Sequence, residues 1–260
     1  MEERLVWMAT QPETWVHWEP LRGGLQAHAL LTQRYPKSSC FVVEAPEERA
    51  QAAMNLIAPR WWEARRWVGG AVHPGLPPQP VQMLWANMAL HMAADPQALI
   101  AQWSRLLAPE GFVMFSCLGP DTLAELRRVY ARAGWPPPSH TFTDMHDWGD
   151  MLMHNGFSQP VMDMEHITLS FASPERLLAE LRELGRNLHP QRFSTLRGRA
   201  WHTQLCNALV QELGGPDGKK PLELRFEVVY GHAFKVAARP AQTSVSLEEM
   251  RANLRQVNKK

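Results

Sequence analysis

The chain has 260 residues, 45% hydrophobic and 20% charged, which excludes a disordered or coiled-coil protein and suits one large domain with its own core. Its 27 Lys and Arg against 26 Asp and Glu leave a formal charge of +1, so the basic excess of a nucleic-acid-binding domain is missing. No run approaches the ~18 apolar residues of a membrane span. The start, MEERLVWMATQPE, lacks the basic and apolar regions of a secretory signal. Cys40, Cys117 and Cys206 are too few and too scattered for a disulfide frame or a zinc knuckle. A cytoplasmic protein with reduced thiols and no metal site, membrane partner or nucleic-acid partner is expected.

In chain order, the apolar run Trp15–Trp18 predicts a first strand, and QAHALLTQRYP a helix after it. Phe41–Glu44 predicts a second strand, and residues 46–58, opening on Pro and Glu, the next helix. Val81–Trp85 predicts a buried strand. Asp95 and Pro96 open a helix over 95–107 whose apolar positions Leu99, Ile100, Trp103, Leu106 and Leu107 follow the 3.6-residue period. Phe112–Cys117 predicts a further strand. Helices follow over 121–133, stopped by Gly134, and over 143–155, stopped by Gly156.

The runs Val161–Phe171 and Leu222–Val236 are longer and alternate in polarity, as an antiparallel edge pair does. Between them Ser173-Pro174 opens one helix that closes at Gly185, and residues 198–213 make another, a cap. After Arg239 a capping box, Ser246 to Glu249, predicts a short tail helix. The first half therefore alternates strand and helix at the spacing of a mostly parallel α/β sheet. The eleven Trp are expected mainly in the core.

Four segments in order, LLAPEGFVMFSCLGPDTLAELR, FTDMHDWGDMLMHNGF, PVMDMEHITLSF and FEVVYGHAFK, resemble the biotin-synthesis malonyl-[acyl-carrier protein] O-methyltransferases. The GPDTLAELR segment is also similar to a mitochondrial complex I assembly factor of methyltransferase fold, described as an arginine hydroxylase. The resemblance covers roughly residues 25–238. It implies a Rossmann-like class I methyltransferase fold over 1–238, with a helical cap over about 172–215 and a tail over 239–260. It also implies S-adenosyl-L-methionine as methyl donor and the carboxylate of a malonyl thioester on acyl carrier protein as substrate. That carboxylate is ionised at neutral pH and needs no general base, so catalysis would be alignment and desolvation.

The resemblance also assigns residues. In the family the first strand ends in an acid followed by D-x-G-x-G-x-G, whose glycines let backbone approach the cofactor. Here EPLRGGL puts Glu19 at the acid and Gly23 at the middle glycine, while Leu21 and Leu25 stand at the other two. Glu44 falls where the family's acid holds both ribose hydroxyls; read on its residues alone, it is equally a helix-cap charge ahead of Pro46. No acid answers to the third-strand adenine contact in WVGGAVHPGLPPQP. Few residues precede the first strand, where the family carries a segment that closes over the cofactor.

Asn87, with His91 one turn on, falls at the end of the fourth strand and is expected to line the cleft. The GPDT turn reads as a helix cap that also edges the substrate pocket, with Arg127 or Arg128 as a bidentate grip on the carboxylate. Arg127 and His146 are the catalytic candidates. His146, Asp150 and His154 share a helical face and read as solvated or mutually paired, not as metal ligands. RWWEARRW, 60–67, reads as an amphipathic helix end whose Trp pack inward, with docking of an acidic partner such as acyl carrier protein, or of an RNA base, as the alternative. Gly119–Arg127, His146–Asp150 and Tyr230–His232 are expected to share one neighbourhood. The functional expectation is a family member with reduced or lost activity, because the glycine-rich turn is eroded. The alternatives are a non-catalytic binding or assembly partner and, more distantly, a hydroxylase.

Overall fold

A computed structural model of the chain describes residues 1–9, 11–44, 47–57, 70–218 and 220–237. The expected tail helix and the RWWEARRW run lie outside the described residues. A 3-10 turn, Glu2–Trp7, leads into β1 (Thr14–Trp18), α1 (Pro20–Gly23, a single turn), α2 (Leu25–Arg34), β2 (Ser39–Val43) and α3 (Glu47–Ile57). Then come β3 (Val72–Pro74), β4 (Val81–Ala86), α4 (Pro96–Leu106), β5 (Leu107–Leu118), α5 (Ala124–Arg132) and α6 (Met145–His154). The chain continues through β6 (Phe157–Phe171), α7 (Pro174–Leu184), α8 (Arg199–Leu213) and β7 (Leu222–Lys235). The strands form one sheet in the order β3-β2-β1-β4-β5-β7-β6. β7 is antiparallel to both β5 and β6, and every other pair is parallel.

Strand alternation splits the core by parity. Val16, Trp18, Leu84, Ala86, Val113 and Phe115 pack on one face with Trp103 of α4 and with Trp148 and Leu152 of α6. Trp15, Val42, Met83, Trp85, Phe112 and Met114 pack on the other with Leu31 and Tyr35. A third cluster joins α5, the cap helices and the cap end of β7 through Leu126, Val129, Leu177, Leu209, Leu224 and Phe226. Trp15, Trp18, Trp85, Trp103 and Trp148 are thus core residues, as expected. β3 has three residues and ends on Pro74, which an edge strand tolerates because its outer N–H has no ladder partner.

Two local expectations need correction. The helix after β5 starts at Ala124, and its N-cap is Leu123 at φ 60°, not a residue of GPDT. Thr122 and Asp121 are drawn away by Glu227 on β7. Thr122 Oγ1 donates to the Glu227 carbonyl and accepts from the Glu227 N–H, both at 3.1 Å. The Asp121 N–H donates to the Glu227 carboxylate at 2.7 Å. The expected three-motif neighbourhood also fails. α6 packs with Val229 and Ala233, while Tyr230 and His232 alternate onto the opposite face, where Arg4 lies over the Tyr230 ring at 4.8 Å.

Candidate functional site

The strand order reverses between β1 and β4, and open α/β sheets bind ligands outside the carboxyl ends of strands at such a point. Here that crevice is crossed by the β1–α2 connection. Glu19 leaves β1 in the left-handed region, at φ 46°, and Arg22 Nη1 lies 3.2 Å from its carboxylate. Gly24, at φ 94°, turns the chain into α2. Glu44, just past β2, has a fully enclosed side chain. Its Oε1 accepts the Leu21 N–H at 2.6 Å, and its Oε2 makes no hydrogen bond among the described residues, with Arg49 Nε at 3.7 Å. Burial, opposed by the Leu21 bond and Arg49, holds its carboxyl above the ordinary range.

Asn87 closes the other side. Its amide donates to the Gly23 carbonyl and its Oδ1 accepts from Ser116 Oγ. A Cβ on Gly23 would lie 2.6 Å from the Asn87 carbonyl oxygen. Leu21 packs against the core cluster of Trp15 and Leu31. Glu19, Gly23, Glu44 and Asn87 therefore converge, but their polar atoms are taken up locally: Glu19 by Arg22, Glu44 by the Leu21 N–H, and Asn87 by Gly23 and Ser116.

A cavity of about 120 Å³ opens beside this crevice, between the β4–α4 loop, the α5 start, the 138–142 loop and the end of α7. Leu118, Leu123, Leu126, Phe142 and Phe226 give it apolar walls, and His91, Ser139, His140 and Arg186 its polar features. His91 Nδ1 accepts the Leu118 N–H at 3.4 Å, so the ring proton sits on Nε2. Burial, then His140, lowers the His91 pKa to about 4, so the ring is neutral at pH 7. Burial also lowers His140. Ser139 Oγ and His140 Nε2 are buried with no hydrogen-bond partner among the described residues. Unpaired polar atoms inside an apolar wall are costly unless a ligand or water satisfies them. Asn187 ties the cap to this wall, donating to the Pro137 carbonyl at 2.7 Å.

Neither catalytic candidate lines that cavity. Arg127 donates to the carbonyls of Thr122 and Pro120, the latter at 2.6 Å, so its guanidinium staples the GPDT turn. His146 sits in the first turn of α6, 80% exposed, with Nδ1 2.7 Å from the Asp144 carboxylate. Asp150 and His154 are exposed too. His91 lines the cavity, whereas no residue of the GPDT turn does; only Leu118 and Leu123, which flank the turn, reach it. Ser139, His140 and Arg186 were missed; a Ser-His pair behind three prolines in an irregular loop carries no periodic signal. Among the described residues Asp121, His166 and Glu227 bring ligand-type atoms within 4.8 Å of one another. Asp121 pairs with His166 at 3.3 Å, and the Glu227 carboxylate accepts the Asp121 N–H, which accounts for the trio as a brace on the turn.

The strand order, the antiparallel final pair and the ligand crevice define a Rossmann-like methyltransferase fold. A methyltransferase-class chain from Bacillus halodurans superposes with a TM-score of 0.60 at 15% identity, covering 91% of this chain and 99% of that one. The YcgJ protein of Bacillus subtilis does so at 0.55 and 13% identity, covering 89% and 95%. No family model matches the chain. Sequence relatives settle the family. The malonyl-[acyl-carrier protein] O-methyltransferase of Nitrosospira multiformis is 34% identical, over 86% of this chain and 76% of its own. That of Gallionella capsiferriformans is 36% identical, over 80% and 73%. This chain belongs to the malonyl-[acyl-carrier protein] O-methyltransferase family.

Proposed function

We propose that this chain binds the malonyl thioester of its family's carrier protein in the cavity beside β5, and that its methyl-donor side is closed, leaving methyl transfer weak or absent. Substrate recognition is supported by the orphaned Ser139 Oγ and His140 Nε2 in an apolar wall, with the Arg186 cation at the rim. The Ser139 hydroxyl and the Arg186 guanidinium are donors that suit one carboxylate entering a dry pocket, where charge-assisted hydrogen bonds count for more than in water.

S-adenosyl-L-methionine is the donor that the family implies, and the residues present do not fit it. The observation that carries this reading is the Leu21–Glu44 hydrogen bond. The carboxylate that would take a ribose diol is enclosed and already holds backbone. Gly23 is locked to Asn87, and Leu side chains replace two of the three glycines. A second reading, an active methyltransferase, is favoured by the acid kept at the end of β2 and by the relatives' activity.

Thermal denaturation with ligand separates the two. A member binding the donor at about 10 μM gains roughly 2.7 kcal/mol at 1 mM, or about 5–10 °C in Tm for a domain this large. Here 1 mM S-adenosylmethionine or S-adenosylhomocysteine should move Tm by less than about 1 °C, while 1 mM malonyl-pantetheine raises it measurably. A shift of several degrees with either nucleoside would establish the active reading instead.

A further inference from the structure

The segment that supplies the cavity's outer wall continues as an exposed stretch, 185–199, between α7 and α8. It holds Arg186, Arg192, Arg197 and Arg199 and no acid, in a chain whose total formal charge is only +1. Among the described residues none of these four forms an ion pair, and the Arg186 and Arg199 side chains have no polar partner at all. Arg197 instead lies over the rings of Phe193 and Trp201, at 4.1 and 4.0 Å. Apolar side chains stand out between the cations: Leu188 and Phe193 are 47% exposed and Leu196 100%. A second depression, of about 310 Å³, runs along this ledge against Tyr130, Pro136, Pro137 and Trp201. The same chain thus forms the cavity rim at Arg186 and, a few residues on, a basic and apolar shelf.

We propose that the 185–199 shelf is the docking surface for a small acidic carrier protein, whose tethered thioester then enters the cavity past Arg186. The proposal rests on the substrate reading above. Charge complementarity selects the occupant: four cations in fifteen residues, with no acidic partner among the described residues, attract an acidic protein face, and the apolar residues among them match the centre of a small interface. Steering by exposed charges is screened over about 10 Å at 0.1 M salt, so the complex should be salt-sensitive. Geometry agrees, because a carrier seated on the shelf has its prosthetic arm beside the opening.

Fluorescence anisotropy with malonyl-loaded acyl carrier protein, with malonyl-pantetheine binding measured in parallel, tests this. Wild type should bind the carrier at least ~10-fold more tightly at 20 mM than at 300 mM NaCl. Arg192→Glu with Arg199→Glu should weaken carrier binding at least ~10-fold at low salt, leaving malonyl-pantetheine affinity unchanged. Arg192→Lys with Arg199→Lys should keep carrier affinity within about twofold, which separates charge from folding. If the reversed variant binds the carrier like wild type, or salt has no effect, the docking proposal falls while the substrate reading stands. If wild type binds malonyl-pantetheine but prefers anionic vesicles or single-stranded RNA to the carrier, the docking proposal falls as well. If wild type binds neither the carrier nor malonyl-pantetheine, both fall.

Discussion

Replacing Glu44 distinguishes a residue that holds its own loop from one kept for a nucleoside. The carboxylate accepts the Leu21 N–H at 2.6 Å inside the protein, the one hydrogen bond which that N–H makes among the described residues. Glu44→Ala strands the donor, and a hydrogen bond to a charged acceptor contributes about 1.5–3 kcal/mol. Burying one fewer methylene adds about 1 kcal/mol, and removing a desolvated charge returns part of the loss. The net destabilisation is about 2 kcal/mol, or about 4–8 °C in Tm for a domain of this length.

Glu44→Gln keeps an oxygen for Leu21 and should stay within about 1 kcal/mol of wild type. The pH dependence carries a sign. Burial raises this carboxyl above 4.5, so the folded state holds the proton more tightly than the unfolded one does. Its ionisation therefore destabilises the fold at neutral pH, and the penalty disappears below 4.5. Glu44→Gln should gain on wild type at pH 7 and lose that gain in acid. Differential scanning calorimetry at both pH values measures each quantity. If Glu44→Ala melts with wild type and instead abolishes a donor-induced shift, the loop-holding role is wrong.

Arg127→Ala removes two ties to the turn carbonyls and should cost about 2 kcal/mol or more in urea denaturation; a neutral result would return Arg127 to the list of substrate clamps. Gly119→Ala should lower Tm by several degrees, because the new Cβ would lie 2.6 Å from Glu227 Oε1; an unchanged Tm would mean that the Glu227 brace is dispensable. Burial lowers His17 to about 3 and His91 to about 4, so both stay neutral in the fold while their unfolded counterparts protonate below 6.5. Each removes up to about 1.4 kcal/mol per pH unit as pH falls below 6.5, and stability that is flat from pH 7 to 5 would contradict their burial.

What the sequence reveals and hides follows from the range of the forces involved. Asp95 and Pro96 announce α4 because capping acts within one turn, and Asp95 does accept the Ala98 N–H at 2.9 Å. The final strand pair is legible in its alternation. GPDT misleads because the partner that pulls Thr122 out of its capping position is Glu227, more than a hundred residues on. Arg127 misleads in the same way: a cation beside a pocket and a cation stapling a turn read alike until the carbonyls are placed. Tyr230 and His232 were grouped with α6 by motif order, but strand parity sends them to the other face. The eroded glycine turn was legible as composition. Its consequence, a loop lying down on Glu44, needed coordinates.

The position of β7 between β5 and β6 bears on how the chain is made. Synthesis delivers β5 and β6 first, yet neither can pair with the other, because the slot between them belongs to residues 222–235. Until that strand leaves the ribosome, the buried stretch from Phe112 to Cys117 has an open hydrogen-bonding edge, and β6 lacks its ladder partner among the described residues. A buried, largely apolar strand with one open edge is prone to pair with a neighbouring chain. Truncation within β7 should therefore yield aggregates and not a smaller soluble sheet.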